Sequence, residues 1–128
     1  FALDDFSDGP AIDLVGVDAG QGFIELAEGN GDGTFAEVSV VMRVASGCEM
    51  VDVADLDGDG RDDLVLSGTT GWSVLLGRVG GGAFVRPDAG MLMSIEGRWG
   101  AVGDLDGDGV LDLVATSGSS VQVLLAKP

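Results

Sequence analysis

Two nine-residue stretches, DLDGDGRDD at 55–63 and DLDGDGVLD at 104–112, place aspartate at positions 1, 3, 5 and 9 of a short loop. Carboxylates brought this close repel: at about 4 Å each pair costs roughly 1 kcal/mol in water and about 4 kcal/mol at an effective dielectric of about 20. A bound divalent cation removes the conflict. Hard oxygen donors suit calcium, which takes about 6 to 8 of them at about 2.3–2.6 Å, with looser geometry than magnesium's octahedron. Gly58, Gly60, Gly107 and Gly109 let the backbone curl around an ion. The spacing nominates Asp55, Asp57, Asp59 and Asp63 for one calcium, with the backbone carbonyl of Arg61 at position 7. It nominates Asp104, Asp106, Asp108 and Asp112 for a second, with the carbonyl of Val110.

An EF-hand begins in the same way, but it needs a glutamate at position 12 and flanking helices. Position 12 is Leu66 in one loop and Ala115 in the other, and both fall in runs that read as strands. Asp63 and Asp112 open those runs, so each loop is a strand-to-strand hairpin. The competing reading is a pair of solvated acidic turns, since Asp and Gly are good turn formers. Recurrence of both loops in register with a longer repeat favours the metal. A third, degenerate loop, DFSDGPAID at 5–13, keeps Asp5 and Asp13 but has Ser7 and Gly9 in place of the middle acids and Pro10 in place of a glycine, which makes it a doubtful site.

The longer repeat sets the architecture. IDLVGV at 12–17, DDLVLS at 62–67 and LDLVAT at 111–116 align so that Leu14, Leu64 and Leu113 correspond, at spacings of 64 − 14 = 50 and 113 − 64 = 49. Each run is followed by a further apolar strand (GFIELA, GWSVLL, SVQVLL), and the next turn recurs as GNGDGTF and RVGGGAF, which reads as a hairpin between the third and fourth strands. A fixed period of this size marks a solenoid, propeller or array. In the middle copy, alternation and glycine breaks predict strand A over 49–54, B over 63–67, C over 71–76 and D from about Ala83. No window has helical periodicity.

Four short antiparallel strands per copy make a propeller blade. The expected fold is therefore all-β: one segment of three four-stranded antiparallel β-propeller blades at 1–47, 48–96 and 97–128, the first opening on a stub of strand A at 1–4 and the last lacking its outer strand. Closed propellers have about 4 to 8 blades. The missing neighbours are expected either from further blades of the same parent chain or from identical copies.

ADLDGDGRDDLV and GDLDGDGVLDLV, with their LV strand, LLG-type strand and G-x-F turn in order, resemble FG-GAP repeats, including VCBS-type repeats of secreted bacterial proteins and the propeller of integrin alpha subunits. The resemblance covers nearly the whole chain. It implies a calcium loop joining strands A and B, an ion with a mainly structural role, and ligand binding on the opposite face. On this chain that face would carry the turns at 18–21, 69–72 and 117–120 and the starts of strand A. Trp72 and Trp99 could stack on a sugar there, but packing between blades is the preferred use.

Composition narrows the remaining functions. Six Lys and Arg against 22 Asp and Glu give a formal charge of −16, which disfavours nucleic acid and anionic membrane surfaces as partners. With no histidine and one cysteine, histidine bases, Cys-His pairs, zinc clusters and an internal disulfide are excluded. Cys48 reads as a buried small hydrophobe. No apolar run approaches the roughly 20 residues of a membrane helix, so membrane insertion is not expected. The opening residues, FALDDFSDGP, have neither a basic start nor an apolar stretch, so no uncleaved secretion signal is expected there, and a removed one would leave no trace.

Glycoside hydrolysis would need two carboxyls at a set separation. The acids instead cluster in the loops, and Asp4, Asp32, Asp52 and Asp88 read as surface charge. Met91 and Met93 read as part of a strand. The expectation is a non-enzymatic, calcium-binding propeller segment for binding or adhesion outside the cell, where sites of about 10⁻⁴ to 10⁻³ M suffice. Its rivals are a structural subunit assembling through open blade edges and, more weakly, a carbohydrate-binding lectin. A protein or glycan ligand is left unnamed.

Overall fold

The computed structural model describes residues 1–7, 9–68, 71–78, 84–85, 97 and 99–126, with only the backbone of Met50 and Val51. The described residues form ten strands and no helix. Strands β1 (Ala2–Asp4), β2 (Asp13–Asp18), β3 (Phe23–Ala27) and β4 (Ser39–Arg43) make the first antiparallel sheet in chain order. Strands β5 (Glu49–Ala54), β6 (Asp63–Gly68) and β7 (Gly71–Leu75) make the second, and β8 (Trp99–Gly103), β9 (Asp112–Ser117) and β10 (Ser120–Leu124) the third. Each sheet is one copy of the repeat, so the all-β, blade-by-blade reading of the sequence holds.

The strands form where β-branched and leucine residues run between Asp- and Gly-rich turns, which favour a pleated, half-buried surface over a helix. The GNGDGTF turn lies between β3 and β4, closed by a Gly29–Phe35 bridge and by the Asn30 amide donating to the Thr34 carbonyl at 2.9 Å. In the second blade Leu76 and Val85 exchange backbone hydrogen bonds of 2.9 Å, and Phe84 is buried. The predicted start of strand D at Ala83, the Met91–Met93 strand and Asp88 lie outside the described residues.

Pairing registers fix which residues correspond. Leu14 pairs with Ala27, Leu64 with Leu75 and Leu113 with Leu124. Counting along, Val15, Val65 and Val114 correspond, as do Ile24, Trp72 and Val121, and Leu26, Val74 and Val123. Side chains alternate between the faces of a sheet. Each blade therefore has a leading face carrying its Leu64-type residue and a trailing face carrying its Val65-type residue.

These faces build the core. Leu64, Leu66 and Leu75 on the leading face of the second blade pack with Phe6, Val15, Ile24 and Leu26 of the first. Val65 and Trp72 on its trailing face pack with Leu113 and Ala115 of the third. Burying each such side chain contributes about 1.5–3 kcal/mol, so face-to-face stacking of sheets holds the chain together. A polar tie runs alongside: the Val102 amide on β8 donates to Asp52 Oδ2 on β5 at 3.1 Å. Asp52 is thus an inter-blade acceptor, not the surface charge expected. Cys48 is buried, as expected.

The Trp72 junction shows how closely the sheets approach. Its indole Nε1 donates to the Gly97 carbonyl at 2.7 Å, and its ring lies over Gly100. A methyl group built at Gly100 would fall on the Trp72 ring and on the Val114 carbonyl oxygen. Neither can yield cheaply, one being a rigid ring and the other backbone. Gly100→Ala is expected to cost about 1–3 kcal/mol in urea denaturation. Gly103→Ala, where the added methyl meets nothing within 4 Å, serves as the control and should stay within about 0.5 kcal/mol.

Candidate metal centre

The loop between β5 and β6 closes on its own carboxylates. Asp55 Oδ1 accepts the Gly58 amide at 2.8 Å and the Asp59 amide at 3.1 Å, while Oδ2 accepts Gly60 at 2.8 Å. Asp57 Oδ1 accepts the Asp59 amide at 3.1 Å, and Asp59 Oδ1 accepts the Arg61 amide at 3.0 Å. Gly58 and Gly60 sit at φ of 77° and 87°, the left-handed region that turns those amides inward. Each turn hydrogen bond thus holds a carboxylate against the next one.

The loop between β8 and β9 repeats this. Asp104 accepts Gly107 at 2.6 Å and Gly109 at 3.1 Å, Asp106 accepts Asp108 at 3.2 Å, and Asp108 accepts Val110 at 2.9 Å. Gly107 and Gly109 have φ of 82° and 88°.

As a result, one carboxylate oxygen from each of Asp55, Asp57 and Asp59 lies within 4.8 Å of the others, and so do those of Asp104, Asp106 and Asp108. Asp55 is half-buried and the other five are exposed. Three hard anionic oxygens at that spacing, open to solvent on one side, fit a cation of calcium's size and flexible coordination. Among the described residues the first loop gathers no such group. Asp8 lies outside the described residues.

The ninth-position acids are placed differently. Asp63 is fully buried, and its oxygens accept the Leu56 amide and the Gly77 amide, each at 2.8 Å. Asp112 accepts Leu105 at 2.8 Å and Ala126 at 2.9 Å. Asp13 accepts Phe6 at 3.0 Å and Gly29 at 2.8 Å. In all three blades this carboxylate ties the start of the A-to-B loop to the chain just past strand C. The structure does not gather Asp63 or Asp112 with the exposed triads. Sequence reading missed this tying role, although a signal was present: Asp13 persists in the loop that has lost both middle acids. Burial raises the pKa of Asp63, the Gly77 and Leu56 amides pull it back, and repulsion from Asp57 and Asp55 adds to the rise.

A further acidic contact joins the first two loops. Asp4, Asp5, Ser7, Asp59 and Asp62 are among the residues lining a polar cleft of about 430 Å³. The Asp62 pKa is pushed up to about 6, first by burial and then by its hydrogen bond to Asp4 and repulsion from Asp4, Asp55 and Asp63.

The two tryptophans part company. Trp72 is buried in the inter-blade layer, as expected, and Trp99 is 73% exposed on the equivalent flank of the third blade, which no blade within this sequence covers. On the face opposite the loops, Asp18 caps its turn by accepting the Gly20 and Gln21 amides at 2.9 and 3.0 Å.

Comparison with known proteins agrees with this geometry. No curated protein matches the chain. A solved structure of an Agrocybe aegerita lectin, described as specifically recognising non-reducing terminal N-acetylglucosamine, superposes with a TM-score of 0.64 at 29% identity. The match covers 96% of this chain and 34% of the lectin, so the chain spans about a third of that protein's length. The FG-GAP-like repeat family matches twice, over residues 8–66 and 55–115, the first taking in the 55–63 loop and the second both aspartate loops. With blades, loops and period in agreement, the chain belongs to the FG-GAP-like repeat family.

Proposed function

We propose that the chain is a calcium-binding β-propeller segment of an extracellular or cell-surface protein, non-catalytic, with binding or adhesion as its task and calcium in a structural role. The observation that carries this reading is the pair of loop triads, Asp55–Asp57–Asp59 and Asp104–Asp106–Asp108, each gathered within 4.8 Å by the same hydrogen-bond pattern. Those six carboxylates would hold two ions. The backbone carbonyls of Arg61 and Val110, at position 7 of each loop, and water would complete each shell. Bound calcium would neutralise the clustered charge and lock the A-to-B hairpin.

A weak calcium site supports an extracellular setting. Weak, solvent-open oxygen sites fill at millimolar calcium and stay empty at cytosolic levels. At about 100-fold excess over Kd each site adds about 2.7 kcal/mol. With Kd between about 10⁻⁴ and 10⁻³ M, two sites add about 3–5 kcal/mol at 10 mM calcium, so melting there should run roughly 8–20 degrees above melting in chelator for a chain of this size. Identical melting curves would contradict the assignment.

The lectin likeness supports a second reading, in which the face opposite the calcium loops binds a glycan. Trp99, at the start of β8, lies on the sheet flank that stacks on a neighbouring blade and is not assigned to that face. Trp72 is not available, being buried with its indole N–H committed.

A further inference from the structure

The second residue of every A-to-B loop is apolar: Phe6, Leu56 and Leu105. Its backbone is held in the same way each time, because the ninth-position carboxylate accepts its amide. Asp13 takes Phe6 at 3.0 Å, and Asp63 and Asp112 take Leu56 and Leu105 at 2.8 Å each. At the two junctions within the chain, the side chain so held sits between blades. Phe6 is buried in the cluster that holds Leu64, Leu66 and Leu75 of the second blade, its ring centroid 5.8 Å from that of Phe84. Leu56 packs against Val65 and Trp72 of its own blade and Leu113 and Ala115 of the third. Leu105 is 53% exposed and belongs to neither cluster.

Leu56 also stands between Asp55 and Asp57, two acids of the gathered triad. One short backbone segment therefore carries both an inter-blade anchor and two carboxylates turned toward a common point. We propose that Leu56 is a positioning residue that couples calcium binding in the 55–63 loop to the docking of the third blade on the second. The inference rests on the calcium reading of the triad. Docked Leu56 presets the separation of Asp55 and Asp57, so an ion meets a loop whose ordering entropy is already spent. Coupling between two equilibria is reciprocal. Calcium, by holding Asp55 and Asp57, keeps Leu56 in the junction and tightens the contact between the blades. The first loop gathers no triad among the described residues and carries the larger Phe6 at the same place. There an aromatic ring does alone what leucine and ion do together at the next junction.

The test uses the chain with Asp104→Asn and Asp106→Asn, which leaves the 55–63 loop as the site being read. Calorimetric titration with calcium gives its Kd, and adding Leu56→Ala should weaken it about tenfold, an ordinary size for such a coupling. Leu56→Met conserves volume and should restore the Kd to within about twofold. Leu105→Ala, in a chain carrying Asp55→Asn and Asp57→Asn instead, should leave the Kd of the 104–112 loop unchanged. A second readout needs no change at Leu56. The Val102 amide donates across the junction to Asp52 Oδ2 at 3.1 Å. Calcium should slow its hydrogen exchange at least about fivefold in the Asp104→Asn, Asp106→Asn chain.

Equal Kd values with Leu56 and with Leu56→Ala overturn the proposal. So does Val102 exchange that calcium leaves unchanged, or a loss at Leu105→Ala as large as that at Leu56→Ala. Each of these results keeps calcium binding itself. Failure of the unsubstituted chain to take up calcium overturns the metal reading, and this proposal with it.

Discussion

Asp13→Asn should cost about 2–4 kcal/mol in urea denaturation, in calcium and in chelator alike. The carboxylate is buried, and its two oxygens accept amides from Phe6 and Gly29, residues 7 and 16 positions away along the chain. Asparagine keeps one acceptor but turns an NH₂ toward the other amide, setting donor against donor where water does not reach. The loop around Asp13 has no acid at positions 3 and 5, so no cation effect confuses the measurement. Asp63→Asn is expected to lose less in chelator, because it also removes a charge repelled by Asp57 and Asp55. A loss at Asp13 that vanished in chelator would show that this aspartate serves an ion rather than the fold.

The exposed triads should behave in the opposite way. Asp57→Asn and Asp106→Asn each remove one oxygen charge from a group of three and touch little of the core. In chelator their melting temperatures should match or slightly exceed that of the unmodified chain, since one repelling carboxylate has gone. In 10 mM calcium each should forfeit about half of the calcium-dependent stabilisation, and the double variant nearly all of it. With about 2.7 kcal/mol per site at 100-fold excess, each single loss is several degrees. Equal destabilisation with and without calcium would assign these residues to the fold instead.

Strands A to C were legible because they depend on local signals: an apolar run between Asp- and Gly-rich turns, recurring at a fixed period. The exposed triads were legible for the same reason, since positions 1, 3 and 5 and their glycines lie within one loop. What escaped depends on residues distant in the chain. Asp63 fits the spacing of a ligand and of a buried tie equally well, and its second partner, Gly77, is 14 residues away. Asp52 looks like surface charge until Val102, 50 residues on, brings its amide to it.

The central claim is that the two aspartate hairpins fold around calcium. An anomalous difference map from a crystal grown in millimolar calcium addresses it directly. The account predicts two strong peaks per chain, one within coordination distance of Asp55, Asp57 and Asp59 and one of Asp104, Asp106 and Asp108. Ordered loops with no density above water at either place would contradict it.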